Sequence, residues 1–100
     1  MRSRYTAYSI CDAKYIIKTT HPLNKDFMED KDIWKEDINN FSSEFKFQKL
    51  TILEFIEKTD ISYVTFTAKL EHNNTDQSFT EKSKFTKINN NWFYLSGEHI

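Results

Sequence analysis

The sequence contains one glycine, one proline and one cysteine among one hundred residues. A single glycine excludes the glycine-rich loops with which P-loop and dinucleotide-binding proteins hold phosphate groups. So few glycines and prolines also exclude collagen-like and low-complexity disordered chains. A single cysteine, Cys11, excludes an internal disulfide framework and sites built from several cysteines, and it is typical of a reducing compartment.

An excess of charge and a long apolar run are absent too. Fourteen Lys and Arg against fifteen Asp and Glu give a formal net charge of −1, so no basic face for nucleic acid is expected. No apolar run approaches the roughly 18 residues of a membrane-spanning helix, and no apolar signal segment follows Arg4. We therefore predict a cytoplasmic protein with neither a membrane nor a nucleic-acid partner.

The sequence is rich in aromatic side chains, with nine Phe, five Tyr and two Trp. A chain of this length corresponds to one domain, because natural domains cluster around roughly 100–150 residues. We therefore predict a single domain over residues 1–100 whose core is built largely from aromatic rings.

Two helical regions are predicted before residue 47. Apolar and aromatic side chains recur at three- and four-residue spacing over residues 1–20, which predicts a long helix with Cys11 on its buried face. Pro22 ends that helix, because proline cannot continue the hydrogen-bond ladder. A second helical region spans residues 24–46 and begins with a capping side chain. Its apolar face is Trp34, Ile38, Phe41 and Phe45, and the candidate caps are Asn24, Asp26 and Asp30.

Four strands are predicted after the helices. The β-branched and aromatic segments 47–58, 61–72, 77–88 and 91–96 are separated by polar clusters at 59–60, 73–76 and 89–90. Strands this close in sequence pair as an antiparallel meander. The fold class is therefore α+β, with helices packed on one face of a four-stranded antiparallel sheet.

The third strand carries two polar residues on its inward face. Counting by twos from Phe85 places Ser83 and Glu81 on that face. A buried carboxylate is costly unless it is paired, and Arg4 lies on the tyrosine-rich face of the first helix. The predicted Arg4–Glu81 pair is either a salt bridge that orients the helix on the sheet or part of a ligand cavity. The alternative is a different face assignment, which would leave Glu81 exposed.

Several motifs together resemble one family. They are Met-Arg-Ser-Arg-Tyr-Thr-Ala-Tyr at 1–8, Thr-His-Pro at 20–22, Phe-x-x-Leu-x-Ile from 47, Val-x-Phe-x-Ala from 64, Glu-x-Ser-x-Phe from 81 and Trp-x-Tyr-x-x-Gly from 92. In order and spacing the chain resembles the middle domain of the YchJ-like bacterial proteins. The resemblance implies the nuclear transport factor 2-like, or cystatin-like, fold, in which a curved sheet wraps a long N-terminal helix into a cone.

The resemblance also bears on metal and cofactor binding. Members of the family usually carry cysteine-rich zinc-binding segments of the SecA C-terminal type beside this domain, and this sequence has no such ligand set. His72 and His99 have no carboxylate or cysteine at ligand spacing. We therefore expect an isolated domain with no metal and no cofactor.

In cone-shaped members of this superfamily a pocket lies between the long helix and the concave sheet. The residues that the resemblance places there are Arg4, Tyr8, Tyr15, Glu81, Ser83, Trp92 and Tyr94. Aromatic walls with a few convergent polar groups are typical of ligand sites. The same residues would also suit a filled core without any ligand.

Two classes of function follow. The first is a non-catalytic ligand-binding or protein-interaction module, with a small-molecule ligand or a homodimer through the sheet face as its partner. The second is a small acid/base enzyme of the dehydratase or isomerase type, with Glu81 or His21 as base and Arg4 and Tyr94 stabilising negative charge. No residue is assigned as catalytic, since His21 also suits the end of a helix.

Overall fold

Three helices precede five strands in the computed structural model, which describes residues 2–100. The helices are α1 (Arg2–Ser9), α2 (Ala13–Lys18) and α3 (Lys31–Glu44). The strands are β1 (Lys46–Glu57), β2 (Ile61–His72), β3 (Thr75–Asp76), β4 (Phe79–Ile88) and β5 (Asn91–His99). The predicted order of helices and strands, and with it the α+β class, is confirmed. Met1, the first residue of the predicted N-terminal helix, lies outside the described residues.

The sequence predicts one continuous helix over residues 1–20, whereas the structure has two helices there. The prediction was wrong at residues 10–12. Cys11 has a φ of 59°, and its N–H and that of Asp12 donate to the carbonyls of Tyr8 and Ala7 at 3.2 and 2.7 Å. These two bonds are the Schellman arrangement that ends a helix, usually around a glycine. Asp12 then caps α2 by accepting from the Tyr15 N–H at 3.2 Å. Cys11 is consequently exposed, not buried as predicted.

The second helical region begins later than predicted. Asp30 is the cap of α3, because its carboxylate accepts from the N–H groups of Asp32 and Ile33 at 3.1 and 3.2 Å. The preceding residues form turns held by Asn24, whose carbonyl accepts from the Phe27 N–H at 3.0 Å. Asn24 is buried, and its side-chain amide donates to the Leu95 carbonyl at 2.7 Å. This loop is therefore fixed to the end strand of the sheet.

The sheet is the predicted antiparallel meander, in the order β1-β2-β4-β5, with the short β3 paired to β2. Positive φ angles at Asn73, Asn74, Asn89 and Asn90 close the two tight turns. Asparagine tolerates this conformation better than other side chains, which explains why these clusters separate strands. No helix within residues 2–100 has the length and apolar character needed to cross a membrane.

The concave face of the sheet forms one half of the core. Val64, Phe66, Ala68 and Leu70 of β2 are all buried, as their alternation predicts. A second buried cluster joins the helices and contains Ala7, Ala13, Ile16, Trp34 and Ile38. The two clusters face each other across the site described next.

Candidate functional site

A cavity of about 640 Å³ lies between the helices and the concave face of the sheet. We call it the cone cavity. Its polar lining includes Arg4, Tyr8, Glu81 and Tyr94, four of the seven predicted site residues. Its apolar walls come from α1, the loop before α3, α3 itself and the inner face of the sheet, and they include Tyr5, Phe27, Met28, Trp34, Phe41, Phe47, Phe66 and Phe79.

The other three predicted residues lie elsewhere. Tyr15 and Trp92 line a second cavity of about 570 Å³, with Phe55 and Phe85, on the other side of Arg4. The Tyr15 hydroxyl hydrogen-bonds to the Ser3 hydroxyl at 2.7 Å. Ser83 is completely buried, and its hydroxyl donates a hydrogen bond to the Glu81 carboxylate. The seven residues are thus divided between two cavities and the core.

Glu81 lies on the inward face of β4, but the predicted Arg4–Glu81 ion pair does not form. The Glu81 Oε2 accepts hydrogen bonds from the Ser83 hydroxyl at 2.5 Å and the Tyr94 hydroxyl at 3.2 Å. The exposed His99 imidazole lies on its other side, with Nε2 3.8 Å from Oε1, and pairs with the carboxylate as an ion only when it is protonated. β5 continues to His99, whereas the sequence placed this histidine in a tail. The carboxylate is therefore satisfied mainly by hydroxyl groups of the sheet.

Arg4 is 6% exposed and binds the end of α2 instead. Its Nη1 donates to the Ile16 carbonyl at 3.2 Å and to the hydroxyls of Thr19 and Thr20 at 2.6 and 3.3 Å. The guanidinium carbon lies 4.7 Å from the centre of the Tyr94 ring. The Tyr94 side chain therefore stands between the two charges, with its ring against Arg4 and its hydroxyl on Glu81.

Burial shifts the titration of the polar groups in this cluster. Desolvation lowers the pKa of Arg4, and this effect is opposed by the neighbouring Tyr8, Tyr94, Tyr15 and Glu81. Burial raises the pKa of Tyr94 above its ordinary value of 10.0, and the Glu81 carboxylate raises it further. Burial also raises the pKa of Tyr8, against the opposing effect of Arg4. The two tyrosines are therefore held in the neutral form.

These shifts predict a loss of stability at alkaline pH. Since the folded pKa of Tyr94 is raised, its contribution is fully present below pH 10.0 and is lost as the pH rises towards the folded pKa. The unfolded chain releases the phenol proton in this range while the folded chain retains it. Urea unfolding between about pH 8 and about pH 11 is expected to show a falling free energy of unfolding, with a shallower fall in Tyr94→Phe. An unchanged slope in Tyr94→Phe would contradict the assignment.

His21 lies outside the set of described residues that line the cone cavity. Its backbone N–H donates to the Tyr94 carbonyl at 2.8 Å, and its Nδ1 accepts from the Leu23 N–H at 2.9 Å. It therefore neither reaches the cavity beside Glu81 nor caps the carbonyls of α2, but fixes the turn around Pro22. Within residues 2–100 no group of three His, Cys, Asp or Glu side chains is arranged to hold a metal.

The sequence analysis missed the role of Gly97. Gly97 lies opposite Ser83 on β5, and a Cβ at this position would overlap the Glu81 carboxyl group and the Tyr94 hydroxyl. An isolated glycine within a strand is a signal of such a close approach. Only glycine at position 97 leaves room for the hydrogen bond between Tyr94 and Glu81.

Comparison with protein families gives one clear match. The family model described as YchJ, middle NTF2-like domain, matches residues 1–97. A UPF0225 protein from Sodalis glossinidius is 32% identical over the whole chain. The chain spans 62–64% of the length of this relative and of two further UPF0225 proteins, from Enterobacter and Pectobacterium carotovorum.

Two solved structures have the same architecture. A SEC-C motif containing protein from Rhodopseudomonas palustris is 32% identical, with a TM-score of 0.84 over all of this chain and 75% of that one. A second such protein, from Psychrobacter arcticus, is 27% identical, with a TM-score of 0.79 over 96% of this chain and 56% of that one. Helices packed on a curved antiparallel sheet are thus a shared feature of these proteins.

Proposed function

The chain belongs to the YchJ family, whose middle NTF2-like domain it matches, and from this premise we propose that it is a non-catalytic module that binds a small molecule in the cone cavity. The observation that carries the proposal is the cavity itself, about 640 Å³ in volume and walled mostly by aromatic and aliphatic side chains. Ligand sites in proteins have this size and composition, with a few polar groups that fix orientation.

The polar groups at the Glu81 end of the cavity favour a ligand with an apolar body and one hydrogen-bond donor, whereas Lys25, Asp26 and Asp37 also line the cavity. Glu81 Oε2 is occupied by two hydroxyl donors, whereas Oε1 has only the exposed His99 side chain at 3.8 Å. A carboxylate oxygen can accept more than one hydrogen bond, so Oε1 has capacity for an N–H or O–H of the ligand. Arg4 and Glu81 both line the cavity and attract each other electrostatically, so a neutral ligand with one donor suits this end.

A thermal-shift screen tests binding, and matched aromatic probes test its chemistry. Benzyl alcohol and benzylamine carry a donor, whereas benzoate presents an anion to Glu81. A ligand at ten times its Kd stabilises the fold by about 1.4 kcal/mol, which raises the unfolding midpoint by about 7 °C. We expect this shift for donor-bearing aromatic compounds and none for benzoate. If no compound in a broad metabolite screen raises the midpoint, the binding proposal is wrong.

Glu81→Gln identifies the end of the cavity that holds the donor. The amide keeps the shape of the side chain but accepts weaker hydrogen bonds than the carboxylate, so the Kd of a donor-bearing ligand is expected to rise about tenfold. Glu98→Gln is the matched control, because Glu98 is exposed on the neighbouring strand. Equal effects of the two variants would argue against binding at Glu81.

The other expectations from the sequence stay predictions. An acid/base enzyme would have to use Glu81, because His21 does not reach the cone cavity. A protein-interaction role, a homodimer through the sheet face and a cytoplasmic location are likewise untested. The outward face of β2 and β4 is mixed, with the Lys82 ammonium 5.0 Å from the centre of the Tyr63 ring and the Thr67 and Thr80 hydroxyls 2.8 Å apart.

A further inference from the structure

The two edges of the sheet differ in how their backbone groups are used. At the β5 edge, the Tyr94 N–H donates to the Thr19 carbonyl and the Tyr94 carbonyl accepts from the His21 N–H, both at 2.8 Å. Asn24 adds a side-chain bond to the Leu95 carbonyl. The segment after α2 therefore covers this edge.

The β1 edge is open. Outside its ladder with β2, the neighbour that a backbone group of β1 has among residues 2–100 is the Tyr5 hydroxyl, beside the Lys49 backbone. The strand is twelve residues long, and its second half exposes Leu53, Phe55 and Ile56 by 58, 59 and 37%. A long open edge with exposed apolar side chains is a template for pairing with another strand.

The charges of β1 are complementary to those of its own antiparallel copy. Lys46 and Lys49 lie in the first half of the strand, and Glu54 and Glu57 lie in the second. Two copies of such a strand attract each other when they run antiparallel, and they repel when they run parallel. Charge complementarity therefore favours a second copy of this chain over a partner strand whose charges all have the same sign.

The pairing with β2 fixes a consistent register. Lys49, Thr51 and Glu54 lie opposite outward residues of β2, whereas Leu50 and Ile52 lie opposite the buried Ala68 and Phe66. Leu53 is an extra residue at a β-bulge. With a twofold axis at Thr51, Leu50 faces Ile52 of the second copy and Lys49 faces Glu54 across the bulge. Each of these residues then lies opposite a residue of the second copy that points to the same face of the sheet. The Lys49–Glu54 contact forms twice.

We propose that two copies of this chain associate through β1, edge to edge, to form one continuous antiparallel sheet. The interface is isologous, since the same strand is used by both copies. It uses the strand edge and not the outward face of the sheet. The bulges limit the regular ladder to the segment around Thr51, so the expected association is a closed dimer and not a fibre.

Charge reversal with mixing tests this interface. In the Lys49→Glu variant and in the Glu54→Lys variant, each contact between copies becomes a like-charge pair, and the dimer dissociation constant is expected to rise at least about tenfold. A one-to-one mixture of the two variants restores both attractions and is expected to dimerise as well as the original chain. Both positions are exposed, so the fold of each copy is expected to survive.

Sedimentation equilibrium over a wide concentration range measures the outcome against the 12.0 kDa mass of one chain. Weakened single variants that recover on mixing support the β1 interface, because a misfolded variant would not recover. A chain that stays monomeric at all concentrations overturns the proposal. So does a dimer that both variants leave intact. If Lys84→Glu, on the outward face of β4, dissociates that dimer, the copies associate through the sheet face.

Discussion

Replacing Arg4 by Met is expected to lower the free energy of unfolding by about 3 kcal/mol. The apolar stem of the side chain is retained, but three hydrogen bonds from Nη1 to the end of α2 are lost. Hydrogen bonds that involve a charged group contribute more than neutral ones, and the Arg4 side chain is buried. Glu81 also loses the electrostatic attraction of the Arg4 charge. Chemical denaturation of the two proteins measures the difference.

Arg2→Met is the control for this variant. Arg2 lies on the same helix two residues earlier and is exposed, so its replacement is expected to change the free energy of unfolding by less than about 0.5 kcal/mol. Arg4→Lys separates charge from geometry, because an ammonium group lacks the guanidinium fork and cannot reproduce all three contacts. Equal stability of Arg4→Met and the original chain would contradict this expectation. It would mean that the guanidinium interacts with water in the unfolded chain as favourably as with its three acceptors in the folded chain.

The strands were predictable because alternation of side chains is a local property. The predicted boundaries of β2 agree with the structure, and the Asn-Asn pairs marked two turns correctly because their backbone conformation depends on few other residues. The break between α1 and α2 was not predictable in the same way. It depends on a left-handed residue that is usually glycine, and here Cys11 occupies that position.

The candidate site was predictable as a face but not as a set of contacts. Periodicity placed Arg4 and Glu81 correctly towards the interior, but it contains no information on how far apart they lie along the cone. The Tyr94 ring separates them, and the chain after α2 supplies Arg4 with hydroxyl and carbonyl acceptors. Long-range packing of this kind has no local sequence signal, apart from the single glycine opposite Ser83.

That glycine gives the second large effect. Gly97→Ala is expected to lower the free energy of unfolding by about 2 kcal/mol, although Gly97 has no unusual backbone angle that would require glycine. The added methyl group would occupy the space of the Glu81 carboxyl group and the Tyr94 hydroxyl. Both are ends of side chains, so they can move without a shift of the backbone. The cost is therefore the loss of hydrogen bonds to a largely buried carboxylate.

Two comparisons separate this cause from a general effect of alanine in β5. Ser96→Ala, at the exposed neighbouring position, is expected to change the free energy of unfolding by less than about 0.5 kcal/mol. In a Glu81→Ala/Tyr94→Phe background the groups that the methyl would displace are gone, so Gly97→Ala is expected to be nearly neutral there. A cost of about 2 kcal/mol that persists in this background would place the strain in the backbone of β5. Its disappearance would show that Gly97 is needed for the Glu81–Tyr94 contact that forms the polar end of the cone cavity.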